Sequence, residues 1–185
     1  MLLKFRHAGQ ACITANRVYV QEGIYKKFSE MLHERTKKLV VGHGSDESTT
    51  MGPVTTPQSI DKAILQVEDA KKHGGQVLVG GGALKDKGGY FFEPTIILDA
   101  NKDMLITREE TFAPIVALYP FKTEEEAVSM ANDTSVSVLE ILDHQDANSR
   151  WQMGLASYFF TKNVDRVWRL MENLEAGMIG MNSGE

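Results

Sequence analysis

Residues 5–12 read Phe-Arg-His-Ala-Gly-Gln-Ala-Cys and hold the only cysteine of the 185-residue chain. A thiol attacks a carbonyl only as the thiolate, so a catalytic cysteine needs access and nearby donors that stabilise an anion. The small residues Gly9 and Ala11 would let a substrate carbonyl approach the backbone N–H beside Cys12. The alternative is a buried structural cysteine, because a free cysteine is among the most buried residue types.

The composition suits a soluble globular domain with a real core, since 42% of the residues are hydrophobic and 24% are charged. The net charge is −5, and Lys and Arg are scattered among acids, so no nucleic-acid partner is expected. No apolar stretch approaches the roughly 18 residues that span a bilayer, so no membrane partner is expected. A single cysteine favours a reducing compartment, cytoplasmic or mitochondrial, and no metal site is predicted.

Strand patterns alternate with helical patterns along the chain. Runs of β-branched and aromatic residues predict strands at residues 17–21, 76–79, 92–98, 115–119, 154–161 and 178–182. Helices are predicted over residues 22–40, from Thr56-Pro57 to Gly74, from Thr123 to Ala131, and from Val164 to Leu174. This alternation predicts an α/β domain with a largely parallel sheet, whose strand order cannot be read from the sequence.

Local patterns also predict helix starts and buried faces. In the helix after Thr56, three- and four-residue spacing places Ile60, Ile64, Val67 and Ala70 on the buried face. The pair Thr123 and Glu126 has the spacing of a capping box.

The cysteine segment resembles the active-site signature of the aldehyde dehydrogenase family, in the pattern Phe5-x-x-x-Gly9-Gln10-x-Cys12. Six further family landmarks follow in the same order as in the family. They are Gly52-Pro53, residues 91–95 (Phe-Phe-Glu-Pro-Thr), residues 109–114 (Glu-Glu-Thr-Phe-Ala-Pro), residues 132–134 (Asn-Asp-Thr), residues 154–159 (Gly-Leu-Ala-Ser-Tyr-Phe) and residues 177–182 (Gly-Met-Ile-Gly-Met-Asn). The resemblance spans nearly the whole chain and implies that Cys12 is the nucleophile.

The resemblance implies a partial aldehyde-dehydrogenase catalytic domain over residues 1–185, with a mostly parallel sheet flanked by helices and truncated at both ends. The family's cofactor-binding domain precedes the cysteine, so that domain is expected to be absent, together with the general-base glutamate. Residues 135–153 are an atypical insertion, either a genuine extra element or non-native sequence. Two residues depart from the family: His7 replaces the usual asparagine, and Ala113 the usual glycine. The methyl of Ala113 would crowd the backbone beside the cofactor if that position needed positive φ.

Within the family, the succinate-semialdehyde dehydrogenases are the most similar branch. There, an arginine at the position of Arg6 holds the distal carboxylate of the substrate, which a guanidinium grips with two parallel hydrogen bonds. The alternative is a surface arginine paired with an acid. The resemblance also implies that Glu110 accepts hydrogen bonds from the nicotinamide ribose and that Phe112 packs near the nicotinamide ring.

The function implied by the resemblance is oxidation of an aldehyde, succinate semialdehyde in the first instance, with NAD or NADP as cofactor. The reaction would pass through a thiohemiacetal and a thioester on Cys12. Family members are commonly dimers or tetramers, so a homo-oligomer is expected for the full-length form. One alternative is a catalytically inactive chain that lacks the cofactor domain and the general base. A weaker one is acyl transfer to Cys12 without a cofactor.

Overall fold

The computed structural model describes residues 2–133 and 154–183. The chain forms two compact units, residues 1–121 and residues 122–185. The insertion predicted over residues 135–153 lies outside the described residues. None of the described helices is both long enough and apolar enough to cross a membrane.

The first unit contains four strands: β1 (Arg17–Gln21), β2 (Gln76–Val79), β3 (Thr95–Leu98) and β4 (Ile115–Phe121). They form one sheet in the order β1-β4-β3-β2. β4 pairs in parallel with both β1 and β3, whereas β2 pairs antiparallel with β3 at the edge. The prediction of an α/β fold with a mostly parallel sheet is confirmed.

The position of β4 between two parallel neighbours explains its composition. Its residues from Ile115 to Tyr119 are all buried, and so are Thr95, Ile96 and Ile97 of β3. A strand that is covered on both faces needs a continuous apolar run rather than an alternating one. One face of β4, which includes Ile115 and Ala117, contributes to one core cluster, and the opposite face, with Val116 and Leu118, contributes to a second.

Helices cover both faces of this sheet. They are α1 (Leu2–Phe5), α2 (Glu22–Thr36), α3 (Pro57–Lys72) and α4 (Leu105–Arg108). α3 packs with Ala63, Val67 and Ala70 in the first core cluster. α2 packs with Tyr25, Phe28 and Leu32 against the second cluster, which contains Phe5 of α1.

α3 begins where the sequence predicts. The Thr56 hydroxyl accepts a hydrogen bond from the Ser59 N–H at 3.2 Å, and Pro57 fills the first helical position, where an N–H would have no partner. The helix ends at Lys72, just before Gly74 with φ of 91°.

The buried face of α3 differs from the prediction. Ala63, Gln66, Val67 and Ala70 are buried, whereas Ile64 is 37% exposed, so the placement of Ile64 on the buried face was wrong. The face is turned because Gln66 points inward, where its Oε1 accepts a hydrogen bond from the Thr111 hydroxyl at 2.9 Å.

The second unit contains α5 (Glu124–Asn132), β5 (Gly154–Phe159), α6 (Val164–Asn173) and β6 (Ala176–Met181), with β5 and β6 in parallel. The helix start at Thr123 is confirmed, since the Glu126 N–H donates to the Thr123 hydroxyl at 3.2 Å. The reciprocal bond differs from that of a capping box, because the Glu126 carboxylate accepts from the N–H of Lys122, the residue before the N-cap, at 2.7 Å. Glu124 accepts hydrogen bonds from the guanidinium groups of Arg169 and Arg166, which lower its pKa to about 2.

Two asparagines from the family landmarks fix turns in this unit. The Asn132 amide donates to the Asn173 carbonyl at 2.8 Å and accepts from the Glu175 N–H at 2.9 Å, so it joins the end of α5 to the turn before β6. Asn182, with φ of 51°, accepts from the Thr161 N–H at 2.9 Å and donates to the Thr161 carbonyl at 3.0 Å. These side chains replace missing backbone partners after β5 and after α6.

The two faces of the sheet give a direct stability prediction. Ile97→Ala should lower the free energy of unfolding by about 2–5 kcal/mol, because Ile97 is fully buried and its loss leaves a cavity. The matched control is Ile24→Ala, since Ile24 is 55% exposed and its truncation should change stability by about 0.5 kcal/mol or less. Urea unfolding of both variants measures the difference, and equal unfolding midpoints would contradict this placement of the core.

Candidate active site

The loop that carries Cys12 lies between α1 and β1 and begins with a strained turn. His7, Ala8 and Gly9 have φ values of 57°, 52° and 75°, all in the left-handed region. Histidine is one of the few non-glycine types enriched there, which explains how His7 is tolerated in place of asparagine. Cys12 itself is exposed, so the alternative of a buried structural cysteine does not hold. Neither its thiol nor its backbone N–H hydrogen-bonds to any described residue.

Gly9 brings the cysteine loop into contact with residues 109–114. A Cβ built on Gly9 would lie 2.2 Å from the carbonyl oxygen of Ala113, a separation that no side chain tolerates. Glycine is therefore required at position 9 both for its positive φ and for this close approach. Two sequence segments about a hundred residues apart meet at this point.

The side chain of Gln10 ties the same loop to a third segment. Its Nε2 donates to the His7 carbonyl at 2.9 Å and to the Pro53 carbonyl at 3.2 Å, and its Oε1 accepts from the Thr55 N–H at 2.8 Å. One amide thus satisfies three backbone groups. These contacts explain physically why the Gly52-Pro53 landmark accompanies the cysteine segment.

Lys4 lies beneath the loop, in the short helix α1. Its side chain is buried, and its amine donates to the Asn16 side-chain oxygen and to the Thr111 carbonyl, the latter at 3.3 Å. Burial lowers the pKa of Lys4 to about 7, and the negative charge of Glu110 partly opposes that shift. The sequence analysis missed this residue, although a lysine between apolar neighbours in Leu2-Leu3-Lys4-Phe5 is a signal of a buried amine.

Glu110 and Phe112 flank the buried Thr111 and are both exposed, Phe112 by 39%. They border a shallow cavity of about 190 Å³ that is also lined by Ser59, Lys62 and Gln66. The Gln66 Nε2 is buried and has no hydrogen-bond partner among residues 2–133 and 154–183. The neighbouring Glu109 turns away to pair with Lys62 at 3.4 Å.

The crowding expected from the Ala113 methyl group depended on a positive φ at that position. Ala113 does not have positive φ, and it is buried in the core cluster with Ile115 and Ala117. Its methyl group therefore fills the core. The carbonyl of Ala113, rather than its side chain, faces the Cys12 loop at Gly9.

Arg6 stands at the start of the strained turn, six residues before Cys12, and is exposed. It forms no ion pair with any residue that the structure describes, so the alternative of a surface salt bridge has no acid to support it. A guanidinium without an acidic partner is free to bind a carboxylate from solution.

Comparisons with known proteins match the whole chain to one family. The family model described as "Aldehyde dehydrogenase family" matches residues 1–185. Succinate-semialdehyde dehydrogenase [NADP(+)] 1 of Schizosaccharomyces pombe is 41% identical over 184 residues, which are 100% of this chain and 34% of that protein. Glutarate-semialdehyde dehydrogenase of Pseudomonas putida is 40% identical over the same shares.

Solved structures give the same result for the fold. An aldehyde dehydrogenase from Brucella melitensis biovar abortus 2308 superposes with a TM-score of 0.87 at 42% identity, over 100% of this chain and 34% of that one. Betaine aldehyde dehydrogenase from Staphylococcus aureus, in complex with NAD+, superposes with a TM-score of 0.83 at 34% identity, over 98% and 33%. This chain spans about a third of the length of the curated relatives it matches. It belongs to the aldehyde dehydrogenase family.

Proposed function

We propose that this chain supplies the cysteine nucleophile and one wall of the cofactor site of an enzyme that oxidises an aldehyde to the carboxylic acid with NAD or NADP. The observation that carries the proposal is the contact of Gly9 with the Ala113 carbonyl. It holds the exposed Cys12 loop against the segment from which Glu110 and Phe112 project. A thiol and a cofactor-binding segment must be adjacent if a hydride is to pass between their ligands.

The residues of the chain account for the covalent steps. The Cys12 thiolate attacks the aldehyde carbon and forms a thiohemiacetal. The backbone N–H of Cys12, which has no partner among the described residues, is available to stabilise the oxyanion of this intermediate. Loss of hydride from that carbon gives a thioester on Cys12. Water then attacks the thioester carbon and the C–S bond breaks, which releases the carboxylate and two protons and restores the thiolate.

The residues around the cavity beside Glu110 fit a nicotinamide nucleotide, whose chemical contribution is to accept the hydride. A carboxylate such as Glu110 can accept hydrogen bonds from two vicinal ribose hydroxyls, and the exposed ring of Phe112 offers an apolar surface. The Gln66 Nε2, which has no partner among the described residues, is a donor that could bind an acceptor of the nucleotide. At about 190 Å³, the cavity is smaller than the roughly 300 Å³ of a typical drug-sized site, so it would hold one end of a dinucleotide.

For the substrate, we propose an aldehyde that carries a distal carboxylate, with succinate semialdehyde as the first candidate. Support comes from the exposed Arg6, which lacks an acidic partner among the described residues. Two of the similar proteins are named for semialdehydes of dicarboxylic acids, succinate and glutarate. A bidentate guanidinium contact suits either of them.

The second candidate is a chain that folds but does not turn over. The observation in its favour is that no titratable side chain among residues 2–133 and 154–183 hydrogen-bonds to Cys12, whereas both the thiol and the attacking water need a base. This candidate and the first make different predictions for the reactions of Cys12.

Replacement of the nucleophile separates the two candidates. In the presence of succinate semialdehyde and NAD or NADP, the wild-type chain should produce the reduced nicotinamide, and Cys12→Ser should abolish that signal, because an alcohol is a much poorer nucleophile at neutral pH than a thiolate. Absorbance of the reduced cofactor measures turnover. A folded wild-type chain that gives no signal, while p-nitrophenyl acetate still acylates Cys12, would favour acyl transfer or the inactive chain.

Arg6 gives a prediction on specificity. Arg6→Ala should lower kcat/KM for succinate semialdehyde by about 10- to 100-fold, the range that corresponds to charged hydrogen bonds of 1.5–3 kcal/mol, mainly through KM. The matched control is Arg35→Ala, since Arg35 is exposed on α2. Steady-state kinetics with succinate semialdehyde and with butyraldehyde, which has no carboxylate, measure the effect. Equal losses on both aldehydes would remove the basis for the assignment of Arg6.

A further inference from the structure

Lys4 is a buried cation whose hydrogen-bonding partners are both neutral. It is 4% exposed, and its contacts are the Asn16 side-chain oxygen and the Thr111 carbonyl oxygen. A buried amine is unfavourable unless hydrogen bonds compensate the loss of hydration, so these two contacts are the reason that lysine is accommodated here.

The two acceptors belong to different segments of the site. Asn16 follows Cys12 by four residues, at the far end of the same loop, whereas Thr111 lies between Glu110 and Phe112. The amine of Lys4 therefore joins the end of the cysteine loop to the centre of the segment that we assign to cofactor binding.

Other contacts converge on the same point. A Cβ built on Gly9 would lie 3.2 Å from Cε of Lys4, so the lysine stem packs directly under the strained turn. The backbone of α1 also holds the loop, because the Leu3 carbonyl accepts a hydrogen bond from the Ala15 N–H at 3.0 Å. On its other side, Thr111 is fixed by its hydroxyl, which donates to Gln66 at 2.9 Å.

We propose that Lys4 is a positioning residue of the Cys12 site: its buried amine sets the placement of the cysteine loop relative to the segment that carries Glu110 and Phe112. The proposal rests on the proposed roles of Cys12 and Glu110. An apolar side chain at position 4 would leave the Asn16 oxygen and the Thr111 carbonyl without their donor.

The charge of Lys4 responds to its surroundings near neutral pH. Burial lowers the pKa of Lys4 to about 7, and the negative charge of Glu110 raises it. The ammonium form has three N–H donors, and the neutral amine has two and a lone pair. The link between the loop and the Thr111 segment is therefore stronger below this pH than above it.

The test uses Cys12 as its own reporter, because it is the single thiol of the chain. The rate constant for alkylation by iodoacetamide is measured by mass spectrometry from pH 5.5 to 10 in the 185-residue chain. A fit to the wild-type profile should require two ionisations, that of the Lys4 amine near pH 7 and that of the Cys12 thiol. The profile of Lys4→Met should require only the ionisation of the thiol. At pH 6, alkylation of Lys4→Met should be slower by about fivefold, the factor that corresponds to one hydrogen bond, because the released loop holds the thiol exposed for less of the time.

Matched variants make the result specific. Lys102→Met removes an exposed lysine and should leave both ionisations in place. Because histidine side chains also titrate in this range, each variant is compared in a His7→Asn background, where the ionisation near pH 7 should persist. Asn16→Asp places a carboxylate beside the amine, which stabilises the ammonium form, so this ionisation should move to higher pH.

Two outcomes would overturn the proposal. One is a folded Lys4→Met variant whose alkylation profile matches that of the wild type. The other is an Asn16→Asp profile in which the ionisation near pH 7 does not move to higher pH. This second outcome still tests the proposal if Lys4→Met does not fold. Alkylation needs neither cofactor nor turnover, so a chain that fails to oxidise aldehydes can still show the Lys4 effect, and the two proposals fail separately.

Discussion

The candidate site depends on one close contact, that of the Gly9 α-carbon with the carbonyl oxygen of Ala113. A Cβ at position 9 would lie 2.2 Å from that oxygen, so the approach is possible only for glycine. The contact joins the turn that leads into Cys12 to the buried strand β4, which begins two residues after Ala113. A loop that would otherwise be exposed on all sides thereby acquires a rigid support in the middle of the sheet.

Around this contact, side-chain hydrogen bonds hold the segments together, as backbone hydrogen bonds do between the strands of the sheet. Gln10 satisfies the backbone groups of His7, Pro53 and Thr55, and Thr111 is held from both sides by Lys4 and Gln66. The two contacts of Thr111 are buried, and they favour one arrangement because a buried polar group left unsatisfied costs about 1–3 kcal/mol. Among the described residues, neither the exposed thiol of Cys12 nor the buried amide nitrogen of Gln66 has a hydrogen-bond partner.

This arrangement suits the part of the family's fold that the chain represents. The chain spans about a third of the length of its curated relatives, and the described residues include an exposed thiol, an exposed carboxylate and an exposed aromatic ring at Cys12, Glu110 and Phe112. A reaction between an aldehyde and a dinucleotide requires enclosure and a base as well. The site that we propose in the first unit would therefore form one wall of a catalytic cleft, held in shape by its own hydrogen bonds.

Much of what the sequence could predict depends on interactions between residues that are close to each other along the chain. Thr56 and Pro57 fix the start of α3, Thr123 and Glu126 fix the start of α5, and the apolar run from Ile115 to Tyr119 identifies the central strand, because each of these signals acts within a few residues. The order of motifs from Phe5 onward identified the family, and the family model confirms it. The strand order β1-β4-β3-β2 was not predictable, because pairing depends on partners that are distant in sequence.

Only the tertiary structure decided the remaining features, and each depends on a contact across many residues. The inward turn of Gln66, which left Ile64 exposed, follows from a hydrogen bond to Thr111. The lowered pKa of Lys4 follows from its burial beneath a loop, which the charge of Glu110 only partly offsets. The sequence by itself determined that Cys12 lies in a segment that resembles the active-site signature of the aldehyde dehydrogenases. The packing of Gly9 on Ala113 decided where that thiol lies, since a motif specifies residue types and only the folded chain sets the distances between them.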